Sequence, residues 1–353
     1  MQLSQIGELR LLQEIRKRFS ANDSAILVNI GDDASVIAPQ KDKVIVTTDM
    51  LNEGIHFDFS YTSAYHLGFK LVSVNASDIF AMGGVPKYLF LNMAMRKDLD
   101  EEIFWKMYDG ISYAIDLYKI SLAGGDLCAA KNEMVVSATL IGYGDKVVTR
   151  GGASIGDKIY VTGNLGDSAC GLEILKRLAD ESKKIVKSEQ WIVNSKNKKK
   201  DLYLTGDYSS FTIHYEIAEP LIKRHLMPVA RDSGEIKGYA SSMIDISDGL
   251  FIDLSRVCDE SNVGARIYLD RMPVSDEMKM AAGLIGSDPL HLAVSGGEDY
   301  ELLFTAPPDV VIDSQPFKLT CIGEIIERDR IVVNENGEEL ELKIEGYQHF
   351  GNS

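Results

Sequence analysis

The sequence predicts an α/β (α+β) protein built as two domains. Apolar runs of strand length alternate along the chain with segments of helical period. The 353 residues, 45% of them hydrophobic, exceed the roughly 250–300 at which a single core stops growing. Glycines cluster from Thr149 to Asp157 and mark the junction, so the expected domains are residues 1–150 and 151–353.

Taken in order, Gln13 to Phe19 predicts a short surface helix. Ala25 to Ile30 predicts a strand ending at Gly31-Asp32-Asp33, and Val44 to Thr48 one ending at Asp49. Ser63 to Met82 predicts a long, mostly apolar helix with Asn75, Ser77 and Asp78 in its middle. Tyr88 to Met95 predicts a strand. Leu99 to Tyr118 places Ile103, Phe104, Met107, Tyr108, Ile111, Ala114 and Ile115 on one helical face, and Met134 to Tyr143 returns to strand. Beyond the junction, Ile159 to Thr162 opens a strand, and Asp167 N-caps a helix running to Leu178. Residues 183–210 hold seven lysines and read as an exposed, charged insertion. Order resumes at Ile213 to His225, then a helix from Gly249 to Asn262 and a strand from Tyr300 to Thr305.

The formal net charge of −16 argues against a nucleic-acid surface, which needs lysine and arginine to neutralise phosphates. No run of 18 apolar residues spans a membrane, and residues 1–10 lack a signal-peptide pattern. Cys128, Cys170, Cys258 and Cys321 form no C-x-x-C pair and read as reduced thiols of a cytoplasmic protein. The P-loop, the dinucleotide glycine fingerprint, the zincin helix and the serine elbow are all absent.

What remains is a series of aspartates in turns or at strand ends: Asp32, Asp33, Asp49, Asp78, Asp126, Asp245 and Asp248. Magnesium favours such hard oxygen ligands and shares them with substrate phosphates. Each site also has a plainer reading. Asp32 fits a turn, and Asp245 with Asp248 fits a helix cap. Asp78 stands in an apolar helix, where a carboxylate needs a metal, an arginine or a cap. Arg150 suits either a surface or a phosphate. His56 and Tyr108 read as structural as readily as functional, and Glu298-Asp299 as an ordinary turn.

Together, six blocks resemble the thiamine-monophosphate kinase family of the aminoimidazole ribonucleotide synthetase-like superfamily. They are GDDASV, TTDMLNEGIHF, VNASDIFAMGGVPK, AGGD, DISDGL and GGEDYELLFT, in family order, within a resemblance running from Gly7 to Phe350. The resemblance implies an N-terminal domain that dimerises through its sheet, giving a homodimer, and a C-terminal α/β domain. It implies Asp33, Thr47, Thr48, Asp49, Asp78, Asp126, Asp245 and Asp248 as ligands of several Mg2+ ions. Tyr108, Gly125, Asp126, Arg150 and Ser247 match positions that contact ATP; His56, Glu298 and Tyr347 match positions near thiamine phosphate. Leu127 and Cys128 stand where the family usually has threonine or serine after its AGGD block.

The implied reaction converts ATP and thiamine phosphate to ADP and thiamine diphosphate by direct transfer. The attacking phosphate oxygen is already ionised, so no general base is expected. Bringing two polyanions together is the difficulty, since unit charges ~4 Å apart repel by about 4 kcal/mol at an effective dielectric of ~20. Within the superfamily, the hydrogenase-maturation and selenophosphate enzymes need terminal cysteines that this sequence does not show, and the purine-pathway synthetase fits the His56 and GGEDYELLFT blocks less well. A silent nucleotide-binding protein is the alternative outside catalysis.

Overall fold

The computed structural model describes residues 1–19, 23–30, 34–181, 201–206, 209–310 and 316–342. The chain divides into two units, residues 1–80 with 84–147, and residues 81–83 with 148–353.

The first unit begins with helices α1 (Leu3–Ile6) and α2 (Glu8–Arg18) and a small ladder of β1 (Ile26–Val28) with β2 (Val36–Ile37). Its centre is a four-stranded sheet in the order β3-β6-β4-β5. The strands are β3 (Lys43–Asn52), β4 (Val85–Arg96), β5 (Ser121–Ala130) and β6 (Val135–Gly144). Helix α3 (Ala64–Ala81) precedes β4, and α4 (Glu101–Tyr118) carries the chain from β4 to its parallel neighbour β5. The start of α4 follows from Asp100, whose carboxylate accepts from the Glu102 amide at 2.9 Å. Lys119 ends it in the left-handed region at φ 56°. The two helices cross backbone to backbone. A Cβ on Gly68 would stand 2.0 Å from the Met107 carbonyl oxygen, and one on Gly110 would stand 1.9 Å from that of Tyr65.

The sheet has one covered and one open face. Val136, Ala138 and Leu140 of β6 are wholly buried, while Val135, Ser137, Thr139 and Ile141 between them are half-buried. On β3, Ile45 and Leu51 are buried, but Val44, Val46 and Met50 are 60%, 60% and 61% exposed. Apolar residues therefore occupy both faces of β3, as its sequence indicates, and only one face is covered within the unit.

Three expectations need correction. Of Ala25–Ile30, only Ile26–Val28 is strand, and it pairs with β2 outside the main sheet. The place of a fourth strand is taken by β5, whose Gly124-Gly125-Asp126 reads locally as a turn. Gly125 is required there because, at φ 150°, an added Cβ would meet the Leu91 carbonyl oxygen at 1.9 Å. Asp49 and Asp126 are consequently mid-strand residues, not strand ends.

The second unit holds a seven-stranded sheet in the order β10-β12-β7-β13-β11-β14-β15. Its strands are β7 (Lys158–Thr162), β10 (Ser242–Asp245), β11 (Gly264–Tyr268), β12 (Leu302–Ala306), β13 (Leu319–Ile326), β14 (Arg330–Val333) and β15 (Glu339–Glu341). Only β11 and β14 pair in parallel. Helices α5 (Asp167–Glu181), α6 (Tyr215–Leu226), α7 (Ile236–Tyr239), α8 (Leu250–Ser261), α9 (Asp276–Ile285) and α10 (Pro289–Ser295) complete it. Every residue of β10 and β12 is buried, the pattern of strands covered on both faces. Within the expected insertion, residues 201–206 form β8 and pair with β9 (Ser209–His214), so this part is a hairpin. Residues 182–200 lie outside the described residues. Among the described residues, no helix is long and apolar enough to cross a membrane.

Candidate active site

On the first unit, Thr47, Asp49 and Asp78 come together. Thr47 and Asp49 alternate with Thr48 along β3, so both lie on the covered face toward α3. From His66 to Ala81 every residue of α3 is buried except Asp78. Its neighbour across the gap is Thr47, whose Oγ1 donates to Asp78 Oδ2 at 2.5 Å. Burial, then repulsion from Asp78, pushes the Asp49 carboxyl up to about 7. Two carboxylates and a hydroxyl thus share one half-buried spot, where each negative charge disfavours the other.

Thr48 points the other way. Its Oγ1 donates to the Ala138 carbonyl at 3.1 Å and receives the Thr139 hydroxyl at 3.2 Å, on the open face. Asp126 is also apart from the pair. It lies beside Asn92 on β5, the edge strand opposite β3, about 14 Å away across three strand spacings. Gly125 and Asp126 are both exposed, and Asp126 stands in register with the exposed Asn92. Asp32 and Asp33 lie outside the described residues. Among the described residues, no three His, Cys, Asp or Glu side chains gather as a metal site; the described nucleus is the pair Asp49–Asp78 with Thr47.

His56 sits in a turn closed by Gly54 at φ 82°. Its Nδ1 accepts from the Asn52 amide at 3.0 Å, which places the ring proton on Nε2. Tyr108 is buried at 4% exposure among Phe19, Phe104 and Trp105, with ring centroids 5.6, 5.0 and 5.9 Å away. Burial raises its hydroxyl well above the usual range. This is the core arrangement, and a nucleotide contact does not follow from it.

On the second unit, Asp245 ends β10 and is 3% exposed. Beyond it the chain stays zipped to the segment before β12. The Ile246 amide donates to Glu301 O, the Tyr300 amide to Ile246 O, and the Glu298 amide to Ser247 O, at 2.8, 2.9 and 2.7 Å. The DISDGL and GGEDYELLFT blocks are therefore one paired loop. Glu298 and Tyr300 adopt left-handed φ values of 65° and 50°, a costly backbone for side chains of that size. Gly297 must lack a side chain, because a Cβ would meet Ser247 O at 2.6 Å.

Four residues outside the candidate set hold this loop. Asp253, wholly buried on α8, accepts from the amides of Ser247, Asp248 and Gly249 at 3.1, 3.1 and 3.2 Å. Burial raises it to about 6 against the opposing pull of Arg256. Arg256 donates to Asp253 Oδ1 at 2.5 Å and to Asp248 Oδ2 at 2.6 Å. Asp299, wholly buried, accepts from the Gly166 and Ser168 amides at the start of α5, at 2.6 and 3.1 Å; burial pushes it up to about 7. Glu301 takes Arg231 in a two-pronged bond at 2.6 and 2.7 Å, with Arg224 on the same carboxylate. Burial opposes its charge, but the two guanidiniums prevail and lower its carboxyl. The one local signal was a carboxylate at the buried start of an apolar helix, Asp253. Arg150 is exposed, with its carbonyl accepting Ser261 Oγ at 3.3 Å. Tyr347 lies outside the described residues.

Both units match known families. Residues 31–143 match the AIR synthase related protein N-terminal domain, and residues 154–335 match the C-terminal domain of the same class. Thiamine-monophosphate kinase of Aquifex aeolicus (strain VF5) is 34% identical over 99% of this chain and 100% of its own length. The Escherichia coli (strain K12) enzyme of that name is 32% identical over 98% of both chains. Among solved structures, AaThiL complexed with AMPPCP and TMP has a TM-score of 0.72 at 32% identity, covering 99% of each chain. The hydrogenase maturation protein HypE in complex with ATP, at 15% identity, a TM-score of 0.66 and 98% of each chain, shares the fold. The chain belongs to the thiamine-monophosphate kinase family within the AIR synthase related class.

Proposed function

We propose that this chain transfers the γ-phosphate of ATP to thiamine monophosphate, giving thiamine diphosphate and ADP. The observation that carries the reading is near-complete alignment with thiamine-monophosphate kinases above 30% identity, joined by likeness to a structure holding AMPPCP and TMP. The site chemistry fits. An acceptor phosphate needs no base, and the described residues supply charge control instead.

The set of Thr47, Asp49 and Asp78 suits Mg2+: hard oxygens, and an Asp49 carboxyl held near 7 by burial and a like charge that a cation would release. When bound, the metal would neutralise the meeting phosphates and favour in-line transfer. Asp33, Thr48, Asp126, Asp245 and Asp248 are proposed as ligands of further Mg2+ ions. Because the Thr48 side chain is turned to the open face, that residue would contribute through its main chain. Gly125, Asp126, Arg150 and Ser247 are the proposed ATP contacts; Tyr108, closed in by Phe19, Phe104 and Trp105, is left out of them. His56, Glu298 and Tyr347 are the proposed contacts to thiamine monophosphate. Asp253 and Asp299 hold the loops that present Ser247 and Glu298.

The open sheet face, with Val44, Val46 and Met50 about three-fifths exposed, supports a homodimer in which a second copy of the face covers the first. Four unpaired cysteines fit a cytoplasmic setting. Turnover of ATP with thiamine monophosphate, against free thiamine, tests the function. Diphosphate forms only from the phosphorylated acceptor, whose oxygen needs no base. Equal turnover of free thiamine, or nucleotide binding without turnover, refutes it. Light scattering over a dilution series tests the dimer, which a stable, active monomer would refute.

A further inference from the structure

Glu298 does not hang freely from its loop. Its Oε2 lies 3.3 Å from Nδ1 of His225, a residue of α6 that is 97% buried, at 3% exposure. The same Nδ1 is 3.2 Å from the hydroxyl of Ser168 on α5, itself wholly buried. A carboxylate only accepts, so the proton between His225 and Glu298 belongs to Nδ1, and Ser168 Oγ is then a second acceptor sharing that proton. Ser168 is in turn fixed by its amide, which donates to Asp299 Oδ1 at 3.1 Å. Two adjacent acidic residues therefore diverge: Asp299 goes inward to the start of α5, and Glu298 goes to His225. The Glu298 side chain keeps 27% of its surface exposed. One oxygen is bound to a buried ring while the group remains reachable. The backbone is fixed as well, by the Glu298 amide on Ser247 O at 2.7 Å and by a left-handed φ of 65°. A residue held at both its main chain and one carboxylate oxygen has little freedom left to adapt to a ligand.

We propose that His225 is a positioning residue for thiamine monophosphate: its Nδ1–H, shared between Glu298 and Ser168 Oγ, holds Glu298 in the one rotamer that receives the amino and cationic groups of the thiamine moiety. This rests on the reading above that Glu298 contacts that substrate. Without the imidazole, Glu298 keeps its charge and its backbone, but its carboxylate is freed to turn toward solvent. The loss then falls on acceptor binding, and neither ATP binding nor the transfer step shares in it.

Steady-state kinetics of four variants test this. Glu298→Gln establishes the premise by raising KM for thiamine monophosphate. His225→Leu, of similar bulk, raises the same KM by about tenfold, the scale of one lost hydrogen bond to a charged group. Its kcat and its KM for ATP stay within about twofold. His225→Asn, whose amide nitrogen stands near the position of Nδ1, recovers most of the loss. The double variant His225→Leu with Glu298→Gln is no worse than Glu298→Gln alone, since both changes remove one interaction. If Glu298→Gln leaves the acceptor KM unchanged, the reading of Glu298 fails and the proposal with it. If Glu298→Gln raises KM but His225→Leu does not, the proposal alone is overturned. Equal rises in both KM values, additivity in the double variant, or no recovery by His225→Asn would also overturn it, by showing that His225 only supports the fold.

Discussion

Replacing Asp49 with Asn should stabilise the protein while removing a metal ligand, and the size of the gain follows from its surroundings. Its carboxyl is raised from 3.8 to about 7, by burial first and by Asp78 second. Holding that charge in the folded state costs about 4 kcal/mol at 1.36 kcal/mol per decade. Asp49 is only half-buried, so solvent screening halves the penalty to about 2 kcal/mol. The folded state binds this proton more tightly than the unfolded chain does. Stability from this group is therefore complete below about pH 4 and is lost as pH rises through about 7. Asn carries no charge and escapes the loss. Thermal melts without divalent cations, from pH 5 to 8.5, should show Asp49→Asn gaining on the wild type as pH rises. The gain should level off at roughly 4–8 °C for a unit of this size. Adding Mg2+ at pH 8 should close most of the gap by raising the wild type alone. A variant that melts below the wild type at pH 8, or by a margin that ignores pH, would refute the argument.

Asp78→Asn should keep the fold, cut kcat by orders of magnitude and raise the magnesium requirement; near-normal turnover at low magnesium would assign Asp78 to structure alone. Gly125→Ala forces a Cβ to within 1.9 Å of a main-chain oxygen and should cost about 3 kcal/mol or more, read as a lowered denaturant midpoint. Asp253→Asn leaves three loop amides facing a neutral acceptor. It should cost about 2–3 kcal/mol and raise KM for ATP through Ser247, with unchanged kinetics telling against that role.

Elements with strong local pattern were legible from sequence. The apolar helix around Asp78, the 3.6-period face of α4 and the alternation of β6 each lie within a residue or two of their expected bounds. Their signal is a period, and a period is local. The candidate residues of the six blocks were legible only through family likeness. What stayed hidden depends on partners far along the chain. Arg224 meets Glu301 across 77 residues of sequence, and Ser168 meets Asp299 across 131. Nothing near His225 announces that its ring faces Glu298. The edge strand β5 was missed for a related reason. Its glycines answer to the neighbouring β4 backbone, which composition does not display.

The zipped loop beyond β10 and β12 has a consequence for how such a protein can change. Ser247 and Glu298 are joined by one main-chain hydrogen bond just beyond the β10–β12 ladder, two residues out of the register that sets Asp245 opposite Leu302. The ladder works as a ruler, setting the spacing between the residue proposed for nucleotide and the one proposed for acceptor. Adding or deleting one residue on either arm would slip the register and turn Glu298 away from α6. Variation in this stretch is thereby restricted to exchange of side chains at constant length. Altered acceptor preference would have to arise from the walls around Glu298, with the loop itself kept to measure.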